Sequence, residues 1–71
     1  MQGKYEAALT NFEKLLAVDD DDETVRFKAA LTLLQLGRNE KARREFLFLR
    51  NTLESDHPLA PKVNEYVRKL R

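Results

Sequence analysis

GKYEAALTNFEKLL, residues 3–16, has an echo: thirty-four positions on, residues 37–50 read GRNEKARREFLFLR. Gly3 returns as Gly37, Glu6 as Glu40, Ala8 as Ala42, Phe12 as Phe46 and Leu15 as Leu49. In the first copy Tyr5, Ala8, Leu9, Phe12, Leu15 and Leu16 recur every three or four positions. That is the spacing of a helix with one apolar stripe. In the second copy the stripe is Ala42, Phe46, Leu49 and Leu53, within a helix expected over Asn39–Leu53. Leu47 and Phe48 lie off it and predict a further packing partner.

Between the two copies the segment Glu23–Leu36 is apolar on two faces. Ala29, Ala30, Leu33 and Leu36 form one; Phe27, Leu31 and Leu34 form the other. A helix greasy on two sides is packed on two sides. Its small residues Ala29 and Ala30 let a neighbour approach closely. The run Asp19–Asp22 precedes it, and Asp21 or Asp22 is placed to accept a backbone N–H at its start. Gly37 follows it, where a left-handed cap favours glycine. Ser55-Asp56-His57-Pro58 is turn material. A fourth helix begins around Pro58–Pro61, with Val63, Tyr66, Val67 and Leu70 as its apolar face and a basic last turn. These readings predict an all-α fold of about four antiparallel helices.

Composition narrows the function. The chain has 71 residues, no Cys, no Trp, and only two Gly and two Pro. Neither a disulfide framework nor a thiolate metal site is available. No apolar run reaches the ~18 residues of a membrane span, and the first residues lack a hydrophobic signal segment. The absence of Cys suits the cytosol without excluding export. A net charge of +1 gives no general attraction to nucleic acid. The charges are segregated, however. Residues 1–23 hold two lysines and seven acids, and residues 24–71 hold eleven lysines or arginines and five acids. An acidic front and a basic rear suggest copies stacking head-to-tail.

Catalytic and ligand-binding constellations are missing from the pattern. His57 is the single histidine and sits before a proline in a turn. One imidazole without Cys is a poor nucleus for a metal site or a triad. Asp19–Asp22 lacks the alternating ligands and central glycine of a calcium loop. Gly3 and Gly37 are isolated, so no glycine-rich loop cradles a phosphate. No cofactor, metal or enzymatic activity is expected. Arg38, Lys41, Arg43, Arg44 and Arg50 make the third helix basic, yet Glu40 and Glu45 intervene and Phe46 belongs to the apolar stripe. A solvated face explains them better than nucleic-acid contact.

A 34-residue period of paired helices is the signature of a solenoid, and the chain resembles the tetratricopeptide repeat family. Gly3 and Tyr5 with Ala8 and Phe12, and again Gly37, Ala42 and Phe46, carry the resemblance. Ala30 and Leu33 match a small and a large residue of the family's first helix. Arg26 departs from a large aromatic, Asn39 from the tyrosine found at Tyr5, and Asp20 from a closing proline. The other possibility is an unrelated four-helix bundle. The resemblance implies residues 3–22 as the second helix of a first repeat, 23–56 as one full repeat and 57–71 as a capping helix. It also implies that Ala8 and Ala42, and Phe12 and Phe46, have similar surroundings.

The resemblance further implies a protein-interaction scaffold with a concave face. Its inner positions fall on Thr24, Phe27, Leu31, Leu34 and Gln35, joined on the last helix by Glu65, Arg68 and Lys69. Phe27 and Leu31 disfavour a carboxylate clamp and favour an apolar or helical peptide, or else they lie under a neighbouring helix. A protein or peptide partner is expected, and a homo-oligomer through the first helix is the second possibility.

Overall fold

The structure, a computed structural model, describes residues 2–70. Met1, and Arg71 at the end of the expected capping helix 57–71, lie outside the described residues. Four helices follow in chain order: α1 (Gln2–Val18), α2 (Glu23–Gln35), α3 (Asn39–Thr52) and α4 (Ala60–Lys69). Each packs against the next, giving a row within a slab of 34 × 28 × 16 Å. Short connections force neighbours to run antiparallel. Cross-contacts agree: the start of α2 meets the end of α3 through Arg26 and Phe48, and Arg38 at the start of α3 pairs with Glu6 at the start of α1.

Local chemistry sets the boundaries. Asp22 caps α2, its carboxylate accepting the Val25 N–H at 3.1 Å. At the other end Gly37 adopts φ +74°. There the Gly37 N–H donates to the Leu34 carbonyl at 3.0 Å and the Arg38 N–H to the Leu33 carbonyl at 2.9 Å. This double bond pattern closes a helix on a left-handed residue. Pro61 lies in the first turn of α4, where its missing N–H breaks no helical bond.

The core draws on all four helices: Leu9; Phe27, Ala29, Ala30 and Leu33; Ala42, Phe46, Leu49 and Leu53; Val63 and Val67. Its largest fully buried side chains, Phe46, Leu49 and Val63, belong to α3 and α4. Burying each stabilises the fold by about 1.5–3 kcal/mol. Ala30 and Ala42 have no exposed surface, which places backbones close where α2 and α3 meet.

The expected equivalence of the two copies holds for their helices and fails for their burial. Ala42, Phe46 and Leu49 are completely buried, whereas Ala8 and Phe12 are partly buried and Leu15 is 52% exposed. α3 packs extensively against both α2 and α4, while α1 packs extensively against α2 and meets the start of α3 through the Glu6–Arg38 pair. The two glycines also differ. Gly37 caps a helix, and Gly3 sits inside α1.

Candidate functional site

An aromatic cluster joins α2, α3 and α4. Phe27, Phe46 and Tyr66 come from α2, α3 and α4. Phe27 meets Phe46 edge-on at 5.8 Å between ring centres and Tyr66 at 6.2 Å; Phe46 and Tyr66 stack at 4.7 Å. Edge and stacked contacts of this kind add to the burial term. Phe27 is therefore only 8% exposed. Its place among the groove residues is corrected: the ring serves the core and leaves a partner little surface.

The other residues proposed for this face divide by exposure. Leu31 and Leu34 are partly buried, and Thr24 and Gln35 are exposed. At 100° per residue Thr24, Leu31 and Gln35 share one stripe of α2, and the exposed Lys28 falls in the same stripe. Lys28 was missed by sequence reasoning, although the i, i+4, i+7 spacing from Thr24 contains it. On α4, Glu65, Arg68 and Lys69 are all exposed. Lys69 Nζ donates to Glu65 Oε1 at 3.0 Å. That hydrogen bond, followed by the lysine charge, holds the Glu65 carboxyl below its ordinary value.

A second cluster lies at the far end of the helices. Arg26 Nη1 donates to Glu45 Oε2 at 2.8 Å, and Nη2 donates to the Asp20 carbonyl at 3.0 Å. Its guanidinium lies 4.3 Å from the centre of the Phe48 ring. The packing partner of Phe48 is thus the Arg26 cation of α2. Arg26, the residue where an aromatic was expected, ties α2 to the α1–α2 turn and to α3 at once. A cavity of about 230 Å³ adjoins it, lined by Asp20, Asp21, Glu23, Phe48, Leu49 and Thr52.

His57 has a structural role. Its Nδ1 accepts the Leu59 N–H at 3.0 Å, ahead of α4, and Nε2 lies 3.7 Å from Glu23 Oε1. The carboxylates of Asp19, Asp20 and Asp21 gather within 4.8 Å of one another. All three are exposed, and Asp19 Oδ1 already accepts the Asp21 N–H. The basic residues of α3 are exposed too, with Arg44 paired to Glu40 at 3.1 Å.

The antiparallel row also redirects the charge asymmetry. Asp19–Glu23, Glu54 and Asp56 occur at one end of the helices with Arg26 and Lys62 among them, and Lys4, Arg38, Lys41, Arg68 and Lys69 at the other with Glu6 and Glu40. The field thus runs along the helices, across the direction in which repeats would stack. The premise that an acidic front and a basic rear drive head-to-tail stacking is corrected accordingly.

A row of antiparallel helix pairs with a 34-residue period, whose connecting turns are capped by Gly37 and Asp22, defines a helical repeat protein. A family model described as Tetratricopeptide repeat matches residues 1–56. The chain belongs to the tetratricopeptide repeat family, whose members generally act as protein-interaction scaffolds. Neither a curated protein nor a solved structure matches the chain. No helix among the described residues is long and apolar enough to cross a membrane.

Proposed function

We propose that the chain is a non-catalytic interaction module that holds a peptide or protein segment against α2 and α4, with residues 23–56 as one full repeat and 57–71 as its cap. The observation that carries this reading is the stripe of exposed Thr24, Lys28 and Gln35 around the partly buried Leu31 on α2, with Arg68 and Lys69 exposed on α4. With Phe27 withdrawn into the core, Leu31 and Leu34 are the apolar anchors, and Lys28, Arg68 and Lys69 are exposed cations of the same two helices, Lys69 being paired with Glu65. That combination suits a segment presenting one or two apolar side chains among acidic ones. Selecting a displayed peptide library on the immobilised chain tests it. Enriched peptides should perturb the amides of Leu31 and Leu34 by NMR, and Leu31→Asp should weaken them roughly tenfold or more. Perturbations confined to the outward faces of α1 and α3 would remove the reading.

A second reading, head-to-tail stacking of copies into a longer array, draws on the open side of α1. It predicts a mass that grows beyond two chains with concentration, because such a contact does not close on itself.

A further inference from the structure

α1 is covered on one side. Leu9 is buried and the partly buried Phe12 and Leu16 pack on the core, whereas Tyr5 and Leu15 stand exposed and Ala8 is partly so. Tyr5, Ala8, Phe12 and Leu15 follow one another at three, four and three residues. This is the seam spacing of two helices packed side by side. We infer that the seam closes on the same seam of a second copy, the two α1 helices lying antiparallel about a two-fold axis.

Charge sets the orientation. Lys4 stands near one end of α1, and the exposed Asp19, Asp20 and Asp21 follow the other. Parallel pairing stacks the aspartates of both copies on each other. Antiparallel pairing carries each Lys4 to the aspartates of the second copy. Those carboxylates also sit at the negative end of α1, whose last turn has no basic residue. A cation from outside relieves both the like charges and the helix dipole.

Side-chain size agrees. With the crossing centred between Ala8 and Phe12, each Phe12 ring lies over the small Ala8 of the other copy, and each Tyr5 lies over Leu15. Because the contact is isologous, both complementary pairs occur twice. Asp19 extends the seam, its N–H donating to the Leu15 carbonyl at 3.0 Å in helical fashion. Lys4 and Asp19 of opposite copies are then offset by about 4.5 Å along the axis, within reach of a lysine. One helix face is a small interface, so association is concentration-dependent. The inference stands apart from the α2–α4 reading, and a monomeric chain overturns it while leaving peptide binding untouched.

The chain contains no cysteine, so introduced thiols report without interference. Tyr5→Cys mixed with Leu15→Cys should form a covalent dimer under oxidation. Neither variant alone should, because like positions lie about 15 Å apart in this register, beyond the ~7 Å that a disulfide spans. Sedimentation should give twice the 8.3 kDa chain mass at high concentration. Leu15→Lys should raise the dissociation constant roughly tenfold or more with the circular dichroism of the wild type. A monomer at millimolar concentration, a cross-link between two Leu15→Cys chains, growth beyond two copies, or a dimer indifferent to Leu15→Lys would each overturn the inference.

Discussion

α1 and α3 carry nearly the same pattern, and one is half covered while the other is buried. Ala42, Phe46 and Leu49 lose all contact with solvent; their counterparts Ala8, Phe12 and Leu15 do not. The helical period is written into each segment and does not depend on neighbours. Burial depends on how many neighbours a helix has, and α4 supplies α3 with its second. In a repeat protein, shape is local and stability is shared.

The largest test of that difference compares the two phenylalanines. Phe46→Ala should cost about 3–5 kcal/mol, the cost of emptying a closed core site. That is much of a small domain's stability, so the variant should be largely unfolded at room temperature. Phe12→Ala should cost about 1–2 kcal/mol, since the site is already partly open. Urea titration followed by circular dichroism measures both. Equal losses would mean that α1 is covered as fully as α3.

The glycines sharpen the comparison by reversing its sign. A Cβ added at either Gly3 or Gly37 meets no atom within 4 Å, so backbone conformation alone decides. Gly37 has φ +74°, and Gly37→Ala should destabilise by about 1–2 kcal/mol. Gly3 is helical, and Gly3→Ala should stabilise by roughly 0.5–1 kcal/mol. Melting temperatures that move in opposite directions would support the assignment. A shared direction would break it.

These differences mark how far the sequence could be read. Helix positions follow from periodicity, and the cap at Gly37 and the pair of candidates Asp21 and Asp22 follow from known end chemistry; the structure selects Asp22. Such signals lie within a few residues of the feature they specify. The fate of Phe27 was not legible, because it depends on Tyr66, thirty-nine positions away and brought alongside by α4. The Arg26–Phe48 contact was hidden for a related reason. Each residue looked anomalous alone, and the anomalies cancel only when α2 and α3 meet. Charge segregation was read correctly along the chain and misassigned in space, since antiparallel helices turn front and rear into opposite helix ends. Of the site residues, Thr24, Gln35, Glu65, Arg68 and Lys69 are exposed and Leu31 and Leu34 partly so, and Lys28 joins them by periodicity.

A smaller test concerns the join between the two copies. Asp22→Ala removes the acceptor of the Val25 N–H and should cost about 1 kcal/mol. Asp20→Ala should be close to neutral, because Arg26 uses the Asp20 backbone carbonyl rather than its carboxylate. The pair separates capping from charge: if both aspartates mattered equally, the acidic run would act through its field.

The smallest effect lies in α4, the helix that makes α3 differ from α1. The hydrogen bond from Lys69 lowers the Glu65 carboxyl, the lysine charge adds to it, and Arg68 and Lys62 act in the same direction while burial opposes. A carboxyl lowered in the folded chain contributes stability that is present above its unfolded value and lost as pH falls through its folded one. The contribution is slight because the group is exposed to solvent. Lys69→Ala should return Glu65 toward the ordinary carboxylate range in an NMR pH titration, with α4 still helical. An unchanged Glu65 would show that the Glu65–Lys69 contact does not persist in solution, leaving the packing of Val63, Tyr66 and Val67 as what holds α4 over α3.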